Sequence, residues 1–233
     1  MDKSDIFVII FFVLLAIAFV FIIIDKKKGK PRIEIAKTKG QVGEFLAFNN
    51  LNTIPGNKGL LRNLYIPKEN GETTEIDCLM IHQKGLFVIE AKNYSGHIYG
   101  SPNDQKWTQV LRRNVHNSFY NPIKQNEGHI KNLRIFLSNN LQGYNEDMPI
   151  YSVITFGPNA DLSNVKLYDL QNKKTFVVNT ERIAVVVTNV INSIPQDCFS
   201  QQRVSEIFNV LFPLINVTDE QKQKHIDDIK NHV

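Results

Sequence analysis

Two cysteines, Cys78 and Cys198, are all that 233 residues contain. They lie 120 positions apart with no C-x-x-C partner, so neither a disulfide framework nor a cysteine-based zinc site is suggested. The six histidines (His82, His97, His116, His129, His225, His232) show no ligand spacing either. Internal repeats and low-complexity tracts are absent. A surplus of charge is nearly absent too, once it is located. The net +4 and the pI near 8.9 suggest a basic protein. Yet residues 1–24 sum to −1, residues 25–32 to +4, and residues 33–233 to only +1. The excess sits in eight residues, so bulk charge gives no argument for a nucleic-acid surface. With 42% hydrophobic residues, 12 Gly and 9 Pro, the chain is not a disordered tail, a collagen-like repeat or a polytopic membrane protein. Its length suits one sizeable domain and an appendage, or at most two small domains.

What is present begins at the N-terminus. Ile6 to Ile24 is a run of 19 residues without charge, amide, Gly or Pro. As a helix it would span roughly 28 Å, close to the ~30 Å hydrocarbon core of a bilayer. A buried helix seldom stays apolar on every face for so long. Ala16 and Ala18 form an A-x-A, but apolar residues follow directly and the preceding segment is net acidic, against a cleaved signal peptide. Lys26, Lys27, Lys28, Lys30 and Arg32 follow the run. By the positive-inside rule they stay in the cytoplasm while the short N-terminus crosses. The expectation is a single-pass membrane anchor (6–24), a basic juxtamembrane linker (25–37) able to touch anionic lipid, and a cytoplasmic body.

In that body, a helical pattern starts at Gly40, with Val42, Leu46 and either Phe45 or Phe48 on one face. Leu61 to Pro67 reads as a strand and Asn70-Gly71 as a turn. Thr73–His82 and Leu86–Tyr94 read as a hairpin around Gln83-Lys84-Gly85, and Gly96–Gly100 as a possible extension of the same sheet. Asn121-Pro122 is a helix start, with Ile130, Leu133 and Leu137 facing a core. Strands follow at Pro149–Phe156 and Phe176–Val178, and helices at about 181–192 and 200–214. Residues 219–233 read as a polar helix or tail. This order predicts a mixed α/β sheet flanked by helices.

Three charges interrupt the most apolar part of that pattern. Asp77 breaks Ile76-Cys78-Leu79-Met80-Ile81, and Glu90 and Lys92 close Leu86-Phe87-Val88-Ile89. Strands apolar on both faces are normally central, where a charge is costly unless paired or bound to a metal. If Gln83-Lys84 forms a two-residue loop, Asp77 lies opposite Glu90, with Lys92 on the same face. Two carboxylates can hold a hard cation such as Mg²⁺ or Mn²⁺ through oxygen, and an ammonium beside them can orient water and neutralise phosphate. A buried salt bridge would use the same residues.

Several motifs in order extend the pattern: Gly40-Gln41-Val42-Gly43-Glu44, Thr74-Glu75-Ile76-Asp77, Gly85-Leu86-Phe87-Val88-Ile89-Glu90-Ala91-Lys92-Asn93-Tyr94-Ser95-Gly96, Trp107, and Asn121-Pro122-Ile123-Lys124-Gln125-Asn126. Over roughly residues 38–140 the chain resembles the nuclease-related domain (NERD) family, which is similar to the PD-(D/E)XK, restriction-endonuclease-like nucleases. The resemblance implies an αβββαβ core and DNA processing. It makes Asp77, Glu90 and Lys92 the catalytic set, with Asp77, Glu90 and the Ala91 carbonyl as metal ligands. Glu44 matches the acidic residue of the first helix, and Asn121 and Gln125 match the later motif. Ala91 and Cys78 replace the family's common bulkier Val and another residue, and neither change removes a ligand.

Expected domains are then the nuclease-like domain (38–157), a C-terminal extension packed on it (158–218) and the tail. Glu44 reads either as a site residue or as a surface acid, and Gln125 with His129, at i and i+4, either as a site pair or as exposed surface. Gly128 suggests close backbone packing or ligand approach, or else a tolerated defect. Trp107 reads as a packing anchor rather than a stacking platform; Tyr94 suits either role. Lys106, Arg112 and Arg113 could contact phosphates or be ordinary solvated surface. The function expected is Mg²⁺-dependent hydrolysis of phosphodiester bonds, with DNA as partner. The rival is an inactive domain serving as a membrane-tethered nucleic-acid or protein interaction module, and a third reading is an anchor protein with a buried ion pair.

Overall fold

The structure, a computed structural model, describes residues 39–167 and 174–231. The expected membrane helix at 6–24 and the whole expected linker at 25–37 lie outside the described residues. Among the described residues no helix is long and apolar enough to cross a membrane.

Helix α1 (Lys39–Asn52) leads into strands β1 (Lys58–Pro67), β2 (Thr73–His82) and β3 (Gly85–Lys92). Three strands, β4 (Gly96–Gly100), β5 (Lys106–Leu111) and β6 (Val115–Tyr120), precede helix α2 (Pro122–Asn140). Strands β7 (Ile150–Phe156), β8 (Ala160–Val165) and β9 (Thr175–Asn179) are followed by helices α3 (Ile183–Ser193), α4 (Gln201–Leu211) and α5 (Asp219–Asn231). A five-stranded mixed sheet has the order β1-β2-β3-β7-β9, and a four-stranded sheet the order β6-β5-β4-β8. The sequence α1-β1-β2-β3-α2-β7 reproduces the αβββαβ order, with β4, β5 and β6 set in before α2.

The five-stranded sheet is covered on both faces. Alternation sends Leu79, Ile81, Leu86 and Val88 toward Leu133 and Leu137 of α2 and Val204, Ile207 and Leu211 of α4. Cys78, Met80, Phe87 and Ile89 point the other way, onto Ala47 and Leu51 of α1 and Ile183 and Val187 of α3. Strands apolar on both faces therefore do sit centrally.

The structure departs from the sequence pattern in four places. The buried stripe of α1 is Gly43, Ala47 and Leu51, while Val42 and Leu46 are exposed. Small residues let the helix lie close to the sheet: a methyl added at Gly43 would stand 2.8 Å from Asn93 Cβ, inside contact distance. Second, β4 does not extend the main sheet. It pairs with β5 and β8 around Ile98, Trp107 and Phe156, a separate apolar cluster. Third, β5 and β6 escape the sequence pattern because β6 is exposed at nearly every position and shows no apolar alternation. Fourth, Gly128 has no protein atom within 4 Å of where a Cβ would stand, so close backbone packing does not explain it.

Candidate active site

The charged residues owe their placement to a local irregularity. Strands β1 and β2 pair in constant register from Lys58↔His82 to Pro67↔Thr73, except that Asn63 and Asp77 are missing from the ladder. Asn63 has φ 54°, the left-handed region that Asn tolerates better than most residues. Inward-facing positions shift there: Leu61 and Leu64 share a core, as do Ile76 and Leu79. The β2–β3 ladder also stops at Cys78↔Ile89, one step short of Asp77. Asp77 thus lies one step beyond the last ladder pair, on the register that would oppose Glu90. Its carboxylate takes the place of a ladder carbonyl, Oδ2 accepting from the Ala91 N–H at 2.7 Å.

Glu90 is 1% exposed at the end of β3. Lys92, two residues on and on the same face, brings Nζ to 2.6 Å from Glu90 Oε1. The ammonium also donates to Gln125 Oε1 on α2 at 3.0 Å. The other Glu90 oxygen accepts from His129 Nε2 at 3.1 Å, and His129 Nδ1 lies 2.5 Å from the Thr74 hydroxyl of β2. A continuous polar chain therefore runs Thr74–His129–Glu90–Lys92–Gln125 through the interface of β2, β3 and α2. His129 is buried, which removes the surface reading of the i, i+4 pair. Asn121, by contrast, is a structural cap. It accepts from Ile123 N–H and donates to the carbonyls of Ser101, Pro102 and Asp104.

Electrostatics separate the carboxyl groups. Burial, then the neighbouring Glu90 and Glu44 charges, push Asp77 well above the usual carboxylate range. Burial also pushes Glu90 upward, but Lys92 and the His129 hydrogen bond overcome it and hold Glu90 below its ordinary value. Burial works against the Lys92 charge, and Glu90 more than offsets that, so the ammonium is held above its ordinary value. Glu44 on α1 is pushed up to about 7, first by burial and then by Glu75, with Arg62 acting in the opposite direction. Glu44 is thus electrostatically part of the cluster, although no hydrogen bond joins it to Asp77 or Glu90.

The donor set suits a hard divalent cation: carboxylate oxygens in a buried setting, where burial first and mutual repulsion second hold two of three carboxyl groups above their ordinary range. Each carboxylate oxygen has a second lone pair, so the bonds Glu90 makes to Lys92 and His129 do not exhaust it. Among the described residues, no three acidic, His or Cys side chains are drawn to common ligand distance.

Comparison with known proteins bears on this arrangement. Residues 39–157 match the nuclease-related domain, NERD. The chain belongs to the NERD family. The match spans α1 through β7 and contains Glu44, Asp77, Glu90, Lys92 and Gln125. An uncharacterized protein from Bacillus anthracis is 28% identical over 198 residues, covering 84% of this chain and 86% of that protein. A nuclease-related function follows from membership at that level of detail. Sequence reasoning undervalued His129 and did not single out Thr74. The Gln125–His129 spacing was the available signal for the first; Thr74 had none beyond its place in the Thr-Glu-Ile-Asp motif.

Proposed function

We propose that this NERD protein hydrolyses phosphodiester bonds in DNA with a divalent cation, Mg²⁺ or Mn²⁺, and works from the cytoplasmic face of a membrane. The observation that carries the reading is the convergence of Asp77, Glu90 and Lys92 at the point where the β2–β3 ladder ends. Asp77, Glu90 and the Ala91 carbonyl would hold the cation, which when bound would acidify water and stabilise charge on phosphate. The chain's own side chains do the rest. Lys92 places a positive charge beside the attacked phosphate and orients water. Gln125 and Glu90 fix the direction of that ammonium, and His129, fastened to Thr74, fixes Glu90. Glu44 supplies a carboxyl group able to exchange a proton near neutral pH.

The full chain incubated with Mg²⁺ or Mn²⁺ is expected to nick or degrade plasmid DNA, and chelation with EDTA to stop it. Asp77→Asn keeps an acceptor for the Ala91 N–H but removes a charged ligand. It should lower the rate by about 10³-fold or more while leaving the thermal transition near that of the wild type. Cleavage by Asp77→Asn at the wild-type rate would remove the metal-nuclease reading. RNA offered in parallel decides the substrate. An intact protein that binds DNA and never cleaves it would instead be the inactive, interaction-module form.

Membrane attachment is supported by the apolar Ile6–Ile24 run and the cations that follow it. The full chain should stay with membranes after alkaline carbonate washing, and a chain lacking residues 1–24 should be released. Retention of the shortened chain would place the attachment elsewhere.

A further inference from the structure

From Gln105 to Asn126 the sequence contains no acidic residue, but it holds Lys106, Arg112, Arg113 and Lys124. In a body whose net charge is close to zero, this is a local concentration. The structure turns most of it into one surface. Strand β6 is the outer strand of its sheet, bonded to β5 on one side, with Val115 to Ser118 and Tyr120 exposed. Arg112, Arg113 and Asn114 form the turn between the two strands, and all three are exposed. Some other cations of the body are matched by acids: Lys68 with Glu72, Lys84 with Asp197, Arg203 with Glu206. Among the described residues, Lys106, Arg112 and Arg113 have no acidic partner.

The turn itself is informative. Arg113 and Asn114 have φ of 63° and 58°, and glycine adopts that conformation at no steric cost whereas arginine does not. The chain keeps an arginine where its backbone would prefer a smaller residue. The surface is also joined to the active strand. Gln109 of β5 donates to the Ser95 carbonyl at 2.8 Å, and Asn117 of β6 donates to Gln109 at 3.1 Å. Phe119 of β6 packs edge-on against Tyr94 with centroids 4.7 Å apart. Tyr94 and Ser95 follow Lys92 directly in the chain, so the hairpin is fixed to the segment that carries the ammonium.

We infer that the β5–β6 edge grips the phosphate backbone of a duplex nucleic acid and presents it to the Asp77–Glu90–Lys92 site. This rests on the nuclease reading and adds the surface that holds the substrate. Arginine suits the task because its planar fork meets phosphate oxygens in pairs, and an acid-free edge does not repel the neighbouring phosphates. Charge on an exposed edge strand has another use, which is to block pairing with a second copy.

The test uses the full chain in detergent, a short fluorescein-labelled duplex and EDTA, so that binding is read by anisotropy without cleavage. The variant carries Arg112→Ala and Arg113→Gly, the second being a change that the backbone at φ 63° favours. Its dissociation constant should rise at least about tenfold, and the slope of log K against log salt should shrink by about two. With Mg²⁺ restored, KM should rise and kcat stay near wild type. Arg182→Ala with Lys222→Ala, remote in sequence, should change neither. Wild-type binding by the Arg112/Arg113 variant overturns the inference, most plainly if that variant also self-associates on gel filtration. Tighter binding of a single-stranded probe through the same two arginines overturns the duplex assignment. A wild type that cleaves, with the variant unimpaired, sinks this surface alone. A wild type that binds through it and never cleaves sinks the nuclease reading alone.

Discussion

Lys92→Ala is expected to remove cleavage and much of the fold's stability together. The Glu90 side chain is 2% exposed and stands 2.6 Å from Lys92 Nζ. Deleting one partner of a buried pair leaves an uncompensated charge and costs about 3–5 kcal/mol. That is a large share of the ~5–15 kcal/mol that holds a typical domain together. The loss of stability alone would be uninformative about catalysis, so a second variant separates the two. Glu90→Gln combined with Lys92→Met removes both charges and keeps an acceptor for the His129 N–H. It should recover most of the stability in urea unfolding and none of the cleavage. A Lys92→Ala protein as stable as wild type would mean that water, not burial, surrounds Glu90. Cleavage by the stable double variant would assign Lys92 and Glu90 to structure only.

That pair also shows what could be read without coordinates. Charges inside apolar strands are conspicuous in a sequence because burying them is costly, so Asp77, Glu90 and Lys92 stood out at once. The register of the Gln83–Gly85 hairpin then followed from loop length, and Cys78↔Ile89 lies on it. What could not be read was the departure from regular pairing. Nothing in the residues Asn63 and Asp77 announces that both drop out of the ladder, yet this is why Asp77 reaches the Ala91 N–H instead of facing Glu90 across a regular pair. The α1 stripe departs from the sequence pattern for a different reason. Val42 and Leu46 are the larger apolar residues, but the helix turns its small ones, Gly43 and Ala47, to the sheet, and at Gly43 the approach is too close for even a methyl group.

The second sheet was the least legible part. Strand β6 faces solvent along almost its whole length, so the period-two hydrophobic signal that reveals a half-buried strand is missing. Trp107 was legible as an anchor. Its ring is fully buried against Phe156, and its indole N–H donates to the Ser101 carbonyl. Polar partners such as His129 and Thr74 are harder, because a histidine or threonine on a helix or strand has the same local signature whether its polar atoms meet water or another side chain.

Activity and the contribution of Glu44 to stability should respond to pH in opposite directions. Its carboxyl is pushed up to about 7 in the folded protein against an ordinary 4.5. Below 4.5 both folded and unfolded chains hold the proton, and the group is neutral in the balance. Between 4.5 and about 7 the folded state keeps a Glu44 proton that the unfolded state has released, so the contribution of this group to stability falls as pH rises and levels off above 7. The displacement corresponds to about 3 kcal/mol for a fully buried group, and to about 1–2 kcal/mol once partial exposure is allowed for. Glu44→Gln should therefore raise the melting temperature at pH 8 by a few degrees and leave it unchanged near pH 4. Cleavage should run the other way. If ionised Glu44 is needed, the rate rises about tenfold per pH unit until the group has titrated, and more steeply if Asp77, also held up, must lose its proton too. The same substitution should remove one proton's worth of that slope. A Glu44→Gln protein whose pH–rate profile and pH–stability curve both overlay the wild type would show that Glu44 is solvated and takes no part in the site.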